Sequence, residues 1–258
     1  MGYLQHKMRL KLHCSLLALL LFSLLALPVW ALETEQDYSV EPPLLLQWGF
    51  VHFPPLIYLD EEKKPKGDLA ELMAAISLDS GIPYKAMLFP NIRAIFNLNQ
   101  QQINFAIAAK SLVNNENNFL ISRFPVAEIQ LRTLWRTGTK PVHSIEDLMA
   151  KRLILLRGYT YGGIRAKVEQ ISENNFEVEN HERALTALKF KRGDYAIVYK
   201  SASEYSMSMA AKTDFEYSII GTVELFFILN AKVPYAEQIM QRLEAAFLRY
   251  QETLNVKN

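Results

Sequence analysis

The chain has 258 residues, with 28 Lys or Arg against 27 Asp or Glu and a formal net charge of +1 when histidine is neutral. This balance supplies no basic surface of the kind that nucleic acid or an anionic membrane requires, so neither is expected as a partner. Cys14 is the single cysteine, which excludes an intrachain disulfide and any metal site built from several thiolates.

Lys7, Arg9 and Lys11 form a basic head ahead of an apolar run from Ser15 to Leu27, and Pro28, Val29, Trp30 and Ala31 follow. The run is short for a bilayer span and no second apolar run succeeds it, so residues 1–31 are predicted to be a cleavable secretory signal cut after Ala31. Cys14 precedes the apolar run and follows Lys11, Leu12 and His13. That setting is not a lipoprotein cleavage site, and no lipid anchor is expected. Cleavage removes three basic residues and no acid, leaving a slightly acidic, cysteine-free chain long enough for two lobes of about a hundred residues each. The expected location is the periplasm.

Past Pro42-Pro43, residues Leu44 to Val51 read as a buried strand, broken by Phe53-Pro54-Pro55, and Leu56 to Leu59 as a short strand before the charged turn Asp60 to Gly67. Leu69, Leu72, Met73 and Ile76 recur at helical spacing, with Asp68 as the predicted N-cap and Gly81 as the stop. Tyr84 to Phe89 is the next strand. The helix after Pro90 is predicted to turn Ile92, Ile95 and Phe96 inward, and Ile103 to Ala109 reads as a buried strand. Alternating strands and helices of this kind predict a parallel sheet covered by helices.

The pattern then restarts. Glu128 to Arg136 is predicted to be a long strand that crosses between lobes, and Ser144 with Asp147 opens a short helix as a capping box does. Strands are predicted at Arg152–Leu156, Phe176–Glu179 and Tyr195–Tyr199, and helices at Gly162–Ile171 and His181–Lys191. Val223 to Asn230 crosses back. A helix from Pro234 to Leu254, with Ile239, Leu243, Phe247 and Leu248 turned inward, ends the chain.

This order of elements resembles that of the bacterial extracellular solute-binding proteins of family 3, whose best-known members bind polar amino acids for ABC importers. The resemblance rests on Phe53-Pro54-Pro55, on Gly67-Asp68-Leu69 at the first helix, and on Leu98 to Ala106. In the second half it rests on Ile145-Glu146-Asp147-Leu148 ahead of Leu153 to Gly158 and Tyr159-Thr160. It implies an α/β fold of two Rossmann-like lobes joined by two crossing strands, the type II periplasmic-binding-protein-like arrangement. Residues 32–130 are then the first part of lobe 1, residues 131–225 lobe 2, and residues 226–258 the return crossing and a helix packed on lobe 1.

Two departures bear on the ligand. Amino-acid binders of that family hold the ligand carboxylate with an arginine, but the matching loop here, Ser111 to Asn118, has none and offers Asn114, Asn115 or Glu116 instead. Their aspartate for the ligand ammonium falls here on Tyr199 or Lys200. A buried ligand charge without a partner costs several kcal/mol, so a free α-amino acid is not the expected ligand.

The candidate binding residues follow from strand ends, where loops of an α/β lobe face the cleft. Phe53 is a ring for stacking on ligand or a core residue, and Lys110 and Ser111 are cleft donors or a solvated loop. Arg93 is a planar donor or a surface helix residue. The segment Arg157-Gly158-Tyr159-Thr160-Tyr161 runs into Gly162-Gly163, where glycines permit a sharp turn and free amides precede a helix. Its tyrosines face ligand or pack the helix start. With Tyr199 and Lys200, the basic residues predict a small polar or acidic ligand.

The predicted function is capture of that ligand by lobe closure, for an inner-membrane ABC permease or a sensor, by a protein expected to be monomeric. No cofactor or metal is expected. His52, His143 and His181 are far apart in sequence, and neither a phosphate-binding Gly-Lys-Ser/Thr loop nor a Gly-x-Ser-x-Gly elbow is present. An enzyme is therefore not predicted. The alternatives are a dehydratase of the same fold acting on cyclohexadienyl substrates, with Glu116 as its acid, and a signalling module that needs no ligand.

Overall fold

The computed structural model describes residues 45–209 and 215–257, so the predicted signal, its cleavage point and Cys14 lie outside the described residues. Strands β1 (Leu46–Phe50), β4 (Tyr84–Leu88) and β5 (Phe105–Ala108) form a parallel core in which β1 lies between the other two. The hairpin of β2 (Tyr58–Leu59) and β3 (Pro65–Lys66) stands apart from it. Helix α1 (Asp68–Ser80) buries Leu69, Leu72, Met73 and Ile76, the stripe that the sequence spacing predicts. Asp68 is its first residue and not its cap: Gly67 holds that place at φ 98°, with no side-chain capping bond. A Cβ at Gly67 would meet the Pro55 carbonyl oxygen at 2.1 Å, so the closeness of this helix start to the Phe53 loop requires glycine.

Helix α2 (Asn91–Asn99) departs from its predicted facing. Ile92 and Phe96 are 59% and 53% exposed, while Asn97 and Leu98 are buried and Ile95 half-buried. The helix starts directly after Pro90, and its phase points Leu98 and Ile95 at the sheet, turning Ile92 and Phe96 outward. Strand β6 (Phe119–Ile121) then pairs with the late strand β11 (Phe215–Asn230).

The second sheet is ordered β11, β7 (Ala127–Arg136), β10 (Tyr195–Tyr199), β8 (Arg152–Leu156) and β9 (Asn174–Val178). Strands β8, β9 and β10 run parallel, and β7 is antiparallel to β10 and β11. Helices α3 (Arg165–Ile171) and α4 (His181–Lys189) connect them. The Ser144 and Asp147 box forms: Asp147 Oδ2 accepts from the His143 and Ser144 amides, and Ser144 Oγ accepts from the Asp147 amide at 3.3 Å. Helix α5 (Lys200–Met209) has no counterpart in the sequence reading.

Two strands join the lobes. Strand β11 pairs with β7 from Phe215 to Leu225 and then with β5 from Phe226 to Leu229, so one strand belongs to both sheets. Its register shifts between Ile219 and Gly221. Helix α6 (Ala236–Lys257) closes the described chain on lobe 1, burying Ile239, Leu243 and Phe247, while Leu248 is 44% exposed on its outer side, contrary to its predicted facing. Arg249 pairs with Asp79 and Arg242 donates to the Ser80 carbonyl, which ties α6 to α1.

Candidate functional site

The ends of β1 and β5 in lobe 1 face the ends of β8 and β10 in lobe 2, and the loops between them meet at a seam. Phe53 follows β1 in a tight turn closed by its own backbone, whose amide donates to the Ile57 carbonyl at 2.7 Å and whose carbonyl accepts from the Ile57 amide at 3.0 Å. The turn drives the ring across the seam. Its centroid lies 5.2 Å from Tyr199, 5.4 Å from His181 and 6.2 Å from Tyr159, all residues of lobe 2, and the ring is 5% exposed. The contacts with His181 and Tyr199 are edge-on and that with Tyr159 is tilted, and ring pairs of this sort each contribute about 0.5–1.5 kcal/mol beyond the apolar area they bury.

The loop after β8 is shaped by its own residues. Tyr161 takes φ 53°, followed by Gly162 at 71° and Gly163 at 100°. Its hydroxyl accepts from the Leu156 amide at 2.5 Å and its ring is fully buried against Tyr199. Arg165 donates to the carbonyls of Leu156 and Tyr159 at 2.7 and 3.3 Å and pairs with Glu169 and Glu177. Tyr161 and Arg165 thus hold the turn from beneath while Tyr159 and Thr160 face the seam. Thr160 Oγ1 lies 3.3 Å from Ser111 Oγ of lobe 1. Gly158 abuts α2: a Cβ there would meet Ile92 Cγ1 at 2.7 Å and Asn91 Nδ2 at 3.3 Å.

Between the lobes lies a cavity of about 130 Å³. Trp48 to Val51, Ile95, Leu98 and Ala106 to Ala109 wall it from lobe 1, and Gly158, Tyr159, Thr160 and Tyr199 from lobe 2. No Asp, Glu, Lys, Arg or His is among the described residues that line it. Asn91 reaches it with its Nδ2 buried and without a hydrogen-bond partner. Two more polar hollows flank it, one by His52, Tyr159 and His181, the other by Lys110, Ser111 and Glu128.

Of the candidates from sequence, Phe53, Gly158, Tyr159, Thr160 and Tyr199 therefore meet at one cavity, with Ser111 at its rim and Tyr161 below it. The four basic candidates do not line it. Arg93 is exposed on α2, and Arg157 turns toward Glu177 and Glu179, 3.5 and 3.7 Å away. Lys110 Nζ sits 3.9 Å from the centroid of the Phe226 ring, beside the flanking hollow. Lys200 is half-buried at the first turn of α5. Each has solvent, a counter-ion or a ring within reach, whereas the apolar seam would leave a cation unpaired. Asn114, Asn115 and Glu116 are exposed and line none of these three spaces.

Asn91 and His181 were not singled out from sequence. For Asn91 the available signal was its position at the start of a helix beside a strand end. The His181 Nε2 accepts from the Tyr199 amide at 3.4 Å, so the imidazole is neutral with its proton on Nδ1. Burial, reinforced by the charge of Arg132, pushes its pKa down to about 3. Burial likewise raises the Tyr159 hydroxyl to about 12 and the Tyr161 and Tyr199 hydroxyls further, so all three are neutral. Among the described residues no group of three or more His, Cys, Asp or Glu is placed to hold a metal ion. No described helix is long and apolar enough to cross a membrane.

Solved structures share this architecture. A histidine kinase sensor domain with similarity to periplasmic binding proteins matches at TM-score 0.69 and 16% identity, over 83% of this chain and 92% of that one. The GluR0 ligand-binding core in complex with L-glutamate matches at TM-score 0.67 and 16% identity, over 82% and 95%. An ancestral arginine-binding protein bound to arginine matches at 0.65 and 17%, over 81% and 92%. No protein-family model and no curated protein matches the chain. At these identities the likeness is one of fold, and the chain has the two-lobed type II periplasmic-binding-protein-like fold that the sequence predicts.

Proposed function

We propose that this protein is a periplasmic binding module that captures a small molecule between its lobes and presents the closed form to a membrane partner, either an ABC permease or a sensor. The supporting observation is a cavity whose walls come from both lobes, sealed by Phe53 against Tyr159, His181 and Tyr199 and by the Ser111–Thr160 contact. Those contacts exist only when the lobes are together. A ligand filling the cavity therefore favours closure by its differential affinity for that form. The solved structures of similar fold include an amino-acid ABC transporter's substrate-binding protein and a kinase sensor domain, consistent with either partner.

A signalling module without ligand is the second reading. It is favoured by one observation: Phe53 already packs edge-on against the protein's own rings. Small-angle scattering of the protein, alone and with a panel of neutral and charged solutes, separates the two. A solute that reduces the radius of gyration supports capture. A protein equally compact in every solution, with no heat of binding, leaves the ligand-free module.

A further inference from the structure

The cavity between the lobes has a chemistry that the ligand must match. Its described lining holds no charged side chain, and the basic residues of the neighbourhood are engaged elsewhere: Arg157 with Glu177 and Glu179, Lys110 with Phe226. Its floor is Trp48, Ile95, Leu98 and Ile103, and its volume of about 130 Å³ is near that of an apolar cavity able to hold one benzene ring. A zwitterion or an ion placed there would lose its hydration and find no countercharge. Beside the hydroxyls of Tyr159, Thr160 and Tyr199, one amide breaks the apolar pattern. Asn91 Nδ2 is buried without a partner at the edge of this space, 3.3 Å from where a Cβ on Gly158 would stand. A buried amide donor is normally satisfied, so this one marks the place of an acceptor.

We propose that the ligand is an uncharged molecule of about one six-membered ring, apolar over most of its surface and carrying one hydrogen-bond acceptor that Asn91 Nδ2 engages. This rests on the reading of the cleft as a capture site and specifies what that site takes. Tyr159 and Tyr199 flank this space, and the Thr160 hydroxyl supplies a second polar contact at its rim. Asn91 and Gly158 stand on different lobes and come together here, so the bond to Asn91 is completed as the lobes close.

The test uses p-cresol and toluene as a matched pair, with L-arginine and L-glutamate as charged probes, each titrated into the purified protein by calorimetry with thermal unfolding and scattering in parallel. The expected result is that p-cresol binds, raises the melting temperature and compacts the protein, that toluene binds more weakly, and that neither amino acid does any of these. Asn91→Ala is expected to cut the preference for p-cresol over toluene about fivefold, the worth of one ordinary hydrogen bond. An unchanged preference overturns the role of Asn91. Binding and compaction by arginine or glutamate with none by the neutral pair overturns the ligand class while leaving capture by closure standing. No binding and no compaction with any of the four overturns both.

Discussion

Gly158 offers a direct way to open the lobes without touching the cavity floor. Its φ is 74°, and a Cβ would stand 2.7 Å from Ile92 Cγ1 on the opposite lobe. Gly158→Ala therefore carries two costs. The left-handed backbone costs about 1–2 kcal/mol whether the lobes are open or closed. The encounter with Ile92 exists only in the closed form and forces a χ1-stiff helical isoleucine off its rotamer, at about 1 kcal/mol. Gly138 separates the two, since its φ is 82° and nothing lies within 4 Å of its Cβ position. Both variants are expected to lose similar stability in urea, but only Gly158→Ala shifts the closed-to-open ratio, by about fivefold. Because Cys14 is the single cysteine and falls in the predicted signal, Leu78→Cys and Phe190→Cys, both exposed and on different lobes, accept spin labels cleanly. A distance distribution in Gly158→Ala identical to that of Gly138→Ala would refute the seam described above.

Phe53→Ala is expected to weaken ligand binding by tenfold or more and to broaden the interlobe distance, because three rings of the other lobe lose their partner; double electron–electron resonance and calorimetry read this. His181 has a folded pKa of about 3, below its ordinary 6.5, so the unfolded chain takes up the proton first as pH falls. Its contribution is complete above about pH 6.5 and is lost downward toward pH 3, amounting to about 2 kcal/mol by pH 5, and His181→Gln flattens that part of the melting-temperature profile. Arg132 is fully buried with Nε and Nη2 unpartnered, and its Nη1 donates to Glu204 at 3.1 Å. Glu204→Ala is expected to cost about 1–3 kcal/mol in urea titrations, whereas Arg132→Met, which removes the buried charge, is neutral or stabilising.

The parts legible in sequence were those with a strong local period. Leu153–Leu156 and Tyr195–Tyr199 are uninterrupted apolar runs, and the strands predicted at Arg152–Leu156 and Tyr195–Tyr199 appear with those bounds. The stripe of α1 is visible because Gly67 and Gly81 punctuate it. Helix α5 escaped notice because Lys200–Met209 is rich in serine, a weak helix former, and buries only Ala202 and Ser203. Its serines answer to local carbonyls instead: Ser203 donates to Tyr199 and Ser206 to Ala202. The inward facing assigned to Ile92 and Phe96 failed because an apolar residue's face depends on helix phase, and Ile92, Ala94, Ile95, Phe96 and Leu98 in a nine-residue helix do not fix it. At the site, rings and glycines carried their own signal. The basic residues lie off the cavity between the lobes, since sequence shows the cation and not the acid or ring that engages it. Asn91 acquires meaning only when another lobe comes to face it.

The strand from Phe215 to Asn230 is hydrogen-bonded on both sides of the hinge line, to β7 throughout its first part and to β5 and β6 in its second. Neither half of the molecule therefore owns a complete sheet. Cutting the gene between them would expose a raw edge on each fragment, and melting either half would strip a neighbour strand from the other, so heat should unfold the pair in one step. The ribbon changes partner between Leu225 and Phe226, so this one strand is the fuse of the assembly.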